Sequence, residues 1–227
     1  MKLDNASLHF EIVSDIVRQG CAPSARTLAE RFEVSPEELS RAMRALADYH
    51  GVVLHPHSDE VWVIHPFSTA PTGFVCEAGG RQWWGNCAWC SLGVARLAGG
   101  TCNIRTTLGM TGRQVTVRVE NGEVLDKNYV VHFPVPMTRA WDNVVYTCSV
   151  MLLFESERDV DSWCAAHCKP KGDVRPIEQV WRFAAEWYGR HLDRDWRKWT
   201  AEEAAAIFAR NRLEGPTWEI PVSKGRF

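Results

Sequence analysis

The chain has 227 residues, a formal net charge of −2 and a hydrophobic fraction of 45 %. This length fits one large domain, or a small domain joined to a mid-sized one. The weak net charge argues against a general binder of nucleic acids or membrane surfaces, and no stretch approaches the roughly 20 apolar residues of a membrane span. The first residues also lack the apolar centre of a signal peptide, so we expect a cytoplasmic protein.

The N-terminal segment predicts three helices followed by a β-hairpin. Apolar residues at helical spacing predict the first two helices, and Ser35 with Glu38 predicts a capping box at the start of the third. The predicted elements are helices over 5–19, from Pro23 to Phe32 and from Pro36 to about Tyr49, then strands over 52–55 and 61–64. This order is typical of a winged-helix-like module, which we predict over residues 1–66.

The third helix of such a module would enter the major groove of DNA. In this chain it offers Arg41 and Arg44, but also Glu37, Glu38 and Asp48. Because this face is not clearly basic, we favour a folded interaction module that does not bind DNA, with DNA as the alternative partner.

Residues 66–73 have the composition of a linker and lead into a core domain predicted over 67–227. The core is expected to hold an antiparallel sheet with flanking helices and a C-terminal helical extension, which gives an α+β fold. Its predicted helices are 87–97, 157–167, 177–190 and 200–212, and its main predicted strands are 101–107, 114–120, 123–129 and the apolar run around Cys148.

Eight cysteines need an explanation in a chain expected in a reducing compartment, where clustered cysteines indicate metal binding or catalysis more often than disulfides. Cys87 and Cys90 lie three residues apart at the start of a predicted helix, where both sulfurs share one face and the helix dipole favours thiolates. Soft thiolates select soft ions such as Cu(I), Zn(II) and Hg(II). The other cysteines outside the apolar run are interpreted as ordinary core or surface thiols: Cys21, Cys76, Cys102, Cys164 and Cys168.

A Cys-x-x-Cys pair alone is a weak signal, because thioredoxin-like redox centres use the same spacing. A βαβ unit would support that interpretation, but an antiparallel meander is predicted to follow Cys90. A zinc ribbon would need a second paired motif. Cys164 and Cys168 are spaced for zinc, but they fall on a predicted helix beside Trp163, which favours a packing role.

The segment Asn86-Cys87-Ala88-Trp89-Cys90-Ser91-Leu92 resembles the catalytic segment of bacterial organomercurial (alkylmercury) lyases. In that family a cysteine is followed by Ala, a large apolar residue and an aspartate. A second family cysteine lies about sixty residues further on, in an apolar segment that ends near Phe, and Cys148 before Phe154 is similar to it. The resemblance covers roughly residues 5 to 170 and includes a winged-helix-like N-terminal region.

The resemblance implies a mechanism. Cys87 corresponds to the attacking thiolate and Cys148 to the second ligand of mercury, and a proton is then delivered to the carbon leaving group without an external cofactor. Cys90 stands at the position of the family's aspartate, so it would be a third ligand or a proton donor. A carboxylic acid is the better placed proton donor in the family, and Asp126, Asp142 and Glu155 are the candidate substitutes.

Two classes of function follow. The leading hypothesis is an enzyme that resembles organomercurial lyases and cleaves a carbon–metal bond in a small organometallic substrate. The alternatives are a non-catalytic soft-metal (Hg, Cu or Zn) binder or sensor on Cys87, Cys90 and Cys148, or a relative that acts on another thiophilic small molecule. In each case Trp84 and Trp89 are expected either to wall an apolar pocket or to pack in the core.

Overall fold

The computed structural model describes residues 2–48 and 51–220. Its helices are α1 (Asn5–Gln19), α2 (Ala25–Phe32), α3 (Pro36–Ala47), α4 (Ala88–Leu97), α5 (Met137–Ala140), α6 (Val144–Val150), α7 (Glu157–His167), α8 (Ile177–Tyr188), α9 (Ala201–Arg210) and a 3-10 turn (Pro216–Trp218). Its strands are β1 (Val52–Leu54), β2 (Val61–Ile64), β3 (Phe67–Ser68), β4 (Val75–Ala78), β5 (Arg81–Gly85), β6 (Cys102–Thr107), β7 (Gln114–Glu120), β8 (Glu123–Val124), β9 (Val130–Phe133), β10 (Leu153–Phe154) and β11 (Asp173–Pro176).

The three N-terminal helices begin where short polar side chains can accept hydrogen bonds from free backbone N–H groups. Ser24 caps α2, and Ser35 with Glu38 forms the predicted capping box of α3. The predicted end of α3 near Tyr49 lies outside the described residues. Helices α1 to α3 are followed by the hairpin β1–β2, as expected, and the assignment of this region as a winged-helix module stays a prediction.

The larger sheet has eight antiparallel strands in the order β1-β2-β3-β5-β4-β6-β7-β8, and a smaller one has the order β10-β9-β11. The N-terminal hairpin therefore continues through β3 into the strands of the core. The predicted boundary at residue 66 falls inside this sheet, between β2 and β3, and remains a prediction. The predicted mixed fold, with an antiparallel sheet and flanking helices, is confirmed.

Helix α4 lies between this sheet and α8, and two glycines allow close contacts with α4. A Cβ on Gly85, at the end of β5, would lie 2.7 Å from the Cα of Ser91. A Cβ on Gly93 would lie 2.3 Å from Cδ2 of Tyr188 on α8. Both distances are shorter than any real contact, so these positions fix how closely the strand and α8 approach α4.

The prediction of a strand around Cys148 is wrong, because residues 144–150 form helix α6. The run of β-branched and aromatic residues suggested a strand. The side-chain oxygen of Asn143 instead accepts a hydrogen bond from the backbone N–H of Tyr146 at 2.9 Å, and this cap starts a helix. The third predicted strand of the meander is also shorter than expected, since β8 ends at Val124.

No helix among residues 2–48 and 51–220 combines the length and the apolar character that crossing a membrane requires.

Candidate active site

Three thiols and one imidazole converge between α4, α6 and the end of β2. Cys87 is the N-cap of α4, Cys90 lies in the first turn of that helix, and Cys148 lies on α6. The three thiols are close enough to shift one another's pKa values. His65 joins them: its ring nitrogen and the sulfurs of Cys90 and Cys148 all lie within 4.8 Å of one another.

Cys87 occupies a position that normally favours a thiolate. Its sulfur accepts a hydrogen bond from the backbone N–H of Cys90 at 3.3 Å and lies 3.4 Å from Sδ of Met151. The N-terminus of a helix stabilises negative charge. Complete burial and the neighbouring Cys90 outweigh this effect, so the pKa of the Cys87 thiol is raised well above its usual value. The Cys87 thiol is therefore protonated at neutral pH, and it donates its proton to Sδ of Met151.

Cys90 is the sulfur on which the negative charge of the cluster concentrates. Burial raises the pKa of the Cys90 thiol, but the neighbouring Cys148 and Cys87 and the hydroxyl of Tyr188 together bring it well below its usual value. The hydroxyl oxygen of Tyr188 lies 3.5 Å from the sulfur. Several donors facing one sulfur make Cys90 the most acidic thiol of the three.

Cys148 and His65 form the outer part of the cluster. The sulfur of Cys148 lies 3.6 Å from Nε2 of His65. The neighbouring Cys87 and Cys90, followed by burial, raise the pKa of Cys148. Burial lowers the pKa of His65 below 6.5, so its imidazole is neutral at neutral pH. A neutral imidazole beside thiols is a ligand pair that soft and borderline cations accept.

Cys148 lines a cavity of about 410 Å³, and its side chain is 6 % exposed, whereas Cys87 and Cys90 are completely buried. The other residues lining this cavity include Trp62, Phe74 and Leu152. Cavities of this size with mostly apolar walls suit small organic molecules. A molecule entering it meets Cys148, whereas Cys87 and Cys90 do not line the cavity.

The two tryptophans that were predicted as pocket walls do not line this cavity. Trp89 stacks on Phe183 with ring centroids 4.6 Å apart and is part of the aromatic core. Trp84 lines a separate cavity beside α1, with Ile16.

The three carboxylates considered as substitute acids are engaged at the surface. Asp126 is paired with Arg118, Glu155 with Arg113 and Asp142 with Arg139. The group formed by His65, Cys90 and Cys148 contains no carboxylate.

Sequence reasoning missed His65 and Tyr188. His65 directly follows β2 and lies 83 residues from its partner Cys148, and Tyr188 ends α8, 98 residues from its partner Cys90. The sequence contains one local indication that a large side chain packs on α4. Gly93, six positions after Cys87, has no side chain, and this lets the ring of Tyr188 lie against the helix.

A second buried polar cluster lies behind His65 and Tyr188. The rings of His191 and Trp196 are 3.9 Å apart, and those of His9 and Trp196 are 4.5 Å apart. Lys198 is also buried there, and burial lowers its pKa to about 6. This cluster connects α1 and the C-terminal region to the thiols.

The fold and the site define a mixed α/β protein with a buried thiol cluster suited to a soft metal. A model described as alkylmercury lyase (MerB) matches residues 67–189, more than half of the chain. The chain belongs to the alkylmercury lyase family.

A comparison with solved structures agrees on the fold. The crystal structure of the mercury-bound form of MerB2 is similar, with a TM-score of 0.66 and 20 % sequence identity over 85 % of this chain and 93 % of that one. No curated protein sequence matches.

Proposed function

We propose that this chain cleaves the carbon–mercury bond of small organomercurials by protonolysis. The observation that carries the proposal is the buried group of three thiols, one of which lines an apolar cavity. Two sulfur ligands weaken a carbon–mercury bond, and thiolates are the protein ligands that soft ions prefer. Membership of the alkylmercury lyase family supports the same reaction.

Cys148 is the first thiol to bind mercury in this proposal, because it lines the cavity. This order reverses the one implied by resemblance, in which Cys87 attacks first. Cys87 then binds as the second sulfur ligand, from the N-cap of α4. Cys90 is the third sulfur of the cluster: as a thiolate it either binds mercury or takes the proton of a neighbouring thiol and passes it to the carbon.

The proposed reaction balances with protein groups alone. R–Hg–X and two Cys–SH groups give R–H, a mercuric ion bound to two cysteine sulfurs, and HX. One thiol proton ends on carbon and the other leaves with the counter-ion X. Water is largely excluded, since the three thiols are at most 6 % exposed, and a dry site strengthens the electrostatic interactions that drive the step.

The cavity beside Cys148 is suited to bind an apolar organic group R of the substrate. Its apolar lining includes Trp62, Phe74 and Val145, and none of the lining residues is charged. An aryl group fits within about 410 Å³. We therefore expect arylmercury compounds such as phenylmercury to be substrates.

Release of benzene from phenylmercury, measured by gas chromatography with excess free thiol, tests this proposal. Wild type should turn over, and Cys148→Ser and Cys87→Ser should each reduce the rate by at least about a hundredfold, because one mercury ligand is lost. The control is Cys168→Ser, an exposed thiol outside the cluster that should keep the wild-type rate. Binding of phenylmercury by wild type without any benzene would contradict the proposal.

A second function, reversible binding of a soft metal ion without a chemical reaction, is favoured by two observations. His65, Cys90 and Cys148 offer three ligand atoms within 4.8 Å of one another, and a thiol stands where the family has its acid. Replacement of His65 by Gln should then weaken binding of Zn(II) or Cu(I) by about tenfold or more. A His65→Gln protein that binds these ions as wild type does would remove the basis for this function.

A further inference from the structure

Two further buried thiols lie on neighbouring strands of the larger sheet, next to α4. Cys76 lies on β4 and Cys102 on β6, and the two thiols are close enough for each to shift the pKa of the other. Cys76 pairs across the strands with Ile104, two residues from Cys102, so both thiols point to the same face of the sheet. Both are at most 2 % exposed.

We propose that Cys76 and Cys102 form a second binding site, a dithiol that takes a soft cation of two-coordinate preference such as Cu(I) or Hg(II). Each sulfur replaces its proton with a bond to the metal, so one Cu(I) and two thiols give a bis-thiolate and release two protons. The step involves no change of oxidation state. It needs nothing from the reaction at Cys87, Cys90 and Cys148.

The number of donors favours a two-coordinate ion. Among the residues that the structure describes, no third histidine, cysteine or carboxylate joins this pair in a compact ligand group. The nearest acidic side chain, Glu77, is held by Arg105 through two hydrogen bonds of 2.6 and 3.1 Å. Zn(II) in structural sites takes four ligands, so this pair does not suit it.

A disulfide is less suited to the pair than a metal. Diagonal neighbours on antiparallel strands have Cα atoms about 7–8 Å apart, whereas unstrained disulfides need roughly 4.4–6.8 Å. A metal ion placed between two sulfurs spans a wider gap than a direct sulfur–sulfur bond.

The site has an approach from solvent. Cys102 lines an open groove of about 620 Å³ that also contains Arg81, Asn103 and Glu120. The neighbouring Cys76 and the backbone N–H of Glu77 lower the pKa of the Cys102 thiol. Cys102 can therefore be the first sulfur to bind an incoming ion, with Cys76 as the second.

The dithiol is a neighbour of the active site. The thiol of Cys76 donates a hydrogen bond of 3.7 Å to the backbone carbonyl of Ser91, the residue after Cys90. The start of α4 thus lies between two groups of thiols. One group is at the apolar cavity and the other at the polar groove.

Anaerobic titration with Cu(I) against the chelator bathocuproine disulfonate tests this site. Single thiols cannot compete with the chelator, whereas a dithiol can. Wild type should retain two Cu(I), one at each group of thiols, and Cys102→Ser should retain one. Cys164→Ser, which removes another buried thiol, should retain two and is the matched control.

The phenylmercury assay separates this proposal from the proposed function. Cys102→Ser should release benzene at the wild-type rate while it loses one Cu(I), and Cys148→Ser should keep the dithiol ion while it loses benzene release. The deciding variant is Cys102→Ser, at the edge of the groove. Cys76 is completely buried, so its replacement would disturb the core and is not used. Retention of the same number of Cu(I) by wild type and folded Cys102→Ser would overturn the proposal.

Discussion

The hydroxyl oxygen of Tyr188 lies 3.5 Å from the sulfur of Cys90, and both side chains are completely buried. Burial and the charge on Cys90 raise the pKa of Tyr188 well above its usual value. The phenol therefore keeps its proton and acts as a donor to the sulfur. This contact links α8 to the first turn of α4 at the reacting group.

Replacement of Tyr188 by Phe should slow benzene release by about tenfold to a hundredfold, because a hydrogen bond to a charged group is worth about 1.5–3 kcal/mol. It should also raise the pKa of Cys90, since the hydroxyl lowers it. The acid side of the pH–rate profile should move to higher pH. Tyr146→Phe, at an exposed tyrosine of α6, is the control and should leave rate and profile unchanged.

Replacement of Cys90 by Asp should speed benzene release relative to Cys90→Ala by at least about tenfold, because a positioned carboxylic acid is an effective proton donor. It also removes one of three sulfurs, so the product mercuric ion should dissociate faster to a competing thiol. Stopped-flow transfer of the ion to a dithiol would measure the second effect. Equal rates for Asp and Ala at this position would contradict a role in proton transfer.

Replacement of Gly93 by Ala should destabilise the fold by about 1–3 kcal/mol, because the added Cβ would lie 2.3 Å from the ring of Tyr188. Thermal and urea unfolding measure the loss. Gly73→Ala is the matched control: a Cβ at that position has no heavy atom within 4 Å and should change stability by less than about 0.5 kcal/mol. A neutral Gly93→Ala protein would mean that α8 can move away from α4 freely.

Replacement of Lys198 by Met should change how stability depends on pH. Burial lowers the pKa of Lys198 from 10.5 to about 6 in the fold, so the unfolded chain binds one more proton than the folded chain between these values. Stability of wild type should then rise from pH 6 toward pH 10. The Met variant should lack this rise, and Tm values at pH 6.5 and 9 for the two proteins would reveal it.

The sequence was sufficient to predict elements whose signals are local. The capping box of Ser35 and Glu38 and the apolar stripes of the first helices lie within a few residues of one another, so the corresponding helices were predicted correctly. Cys87 and Cys90 could be assigned to one helix face because the spacing of a helix determines it.

The parts of the site that depend on tertiary contacts could not be predicted. His65 meets Cys148, and Tyr188 meets Cys90, only because the sheet and α8 bring distant segments together. The apolar run around Cys148 has the composition of a strand. It forms a helix instead, which begins where the side chain of Asn143 accepts a hydrogen bond from the backbone N–H of Tyr146. The walls of the cavity, Trp62 and Phe74, come from segments with no chemical motif.

The position of His65 has a consequence for engineering. The family match begins at residue 67, two residues after this histidine, which directly follows β2. A fragment or chimera cut at the family boundary would carry all three thiols of the cluster and lose the imidazole beside them. Any transplant of this centre into another scaffold must therefore include the N-terminal hairpin together with His65. Exchange of this segment between relatives would alter the set of metal ligands without changing a cysteine.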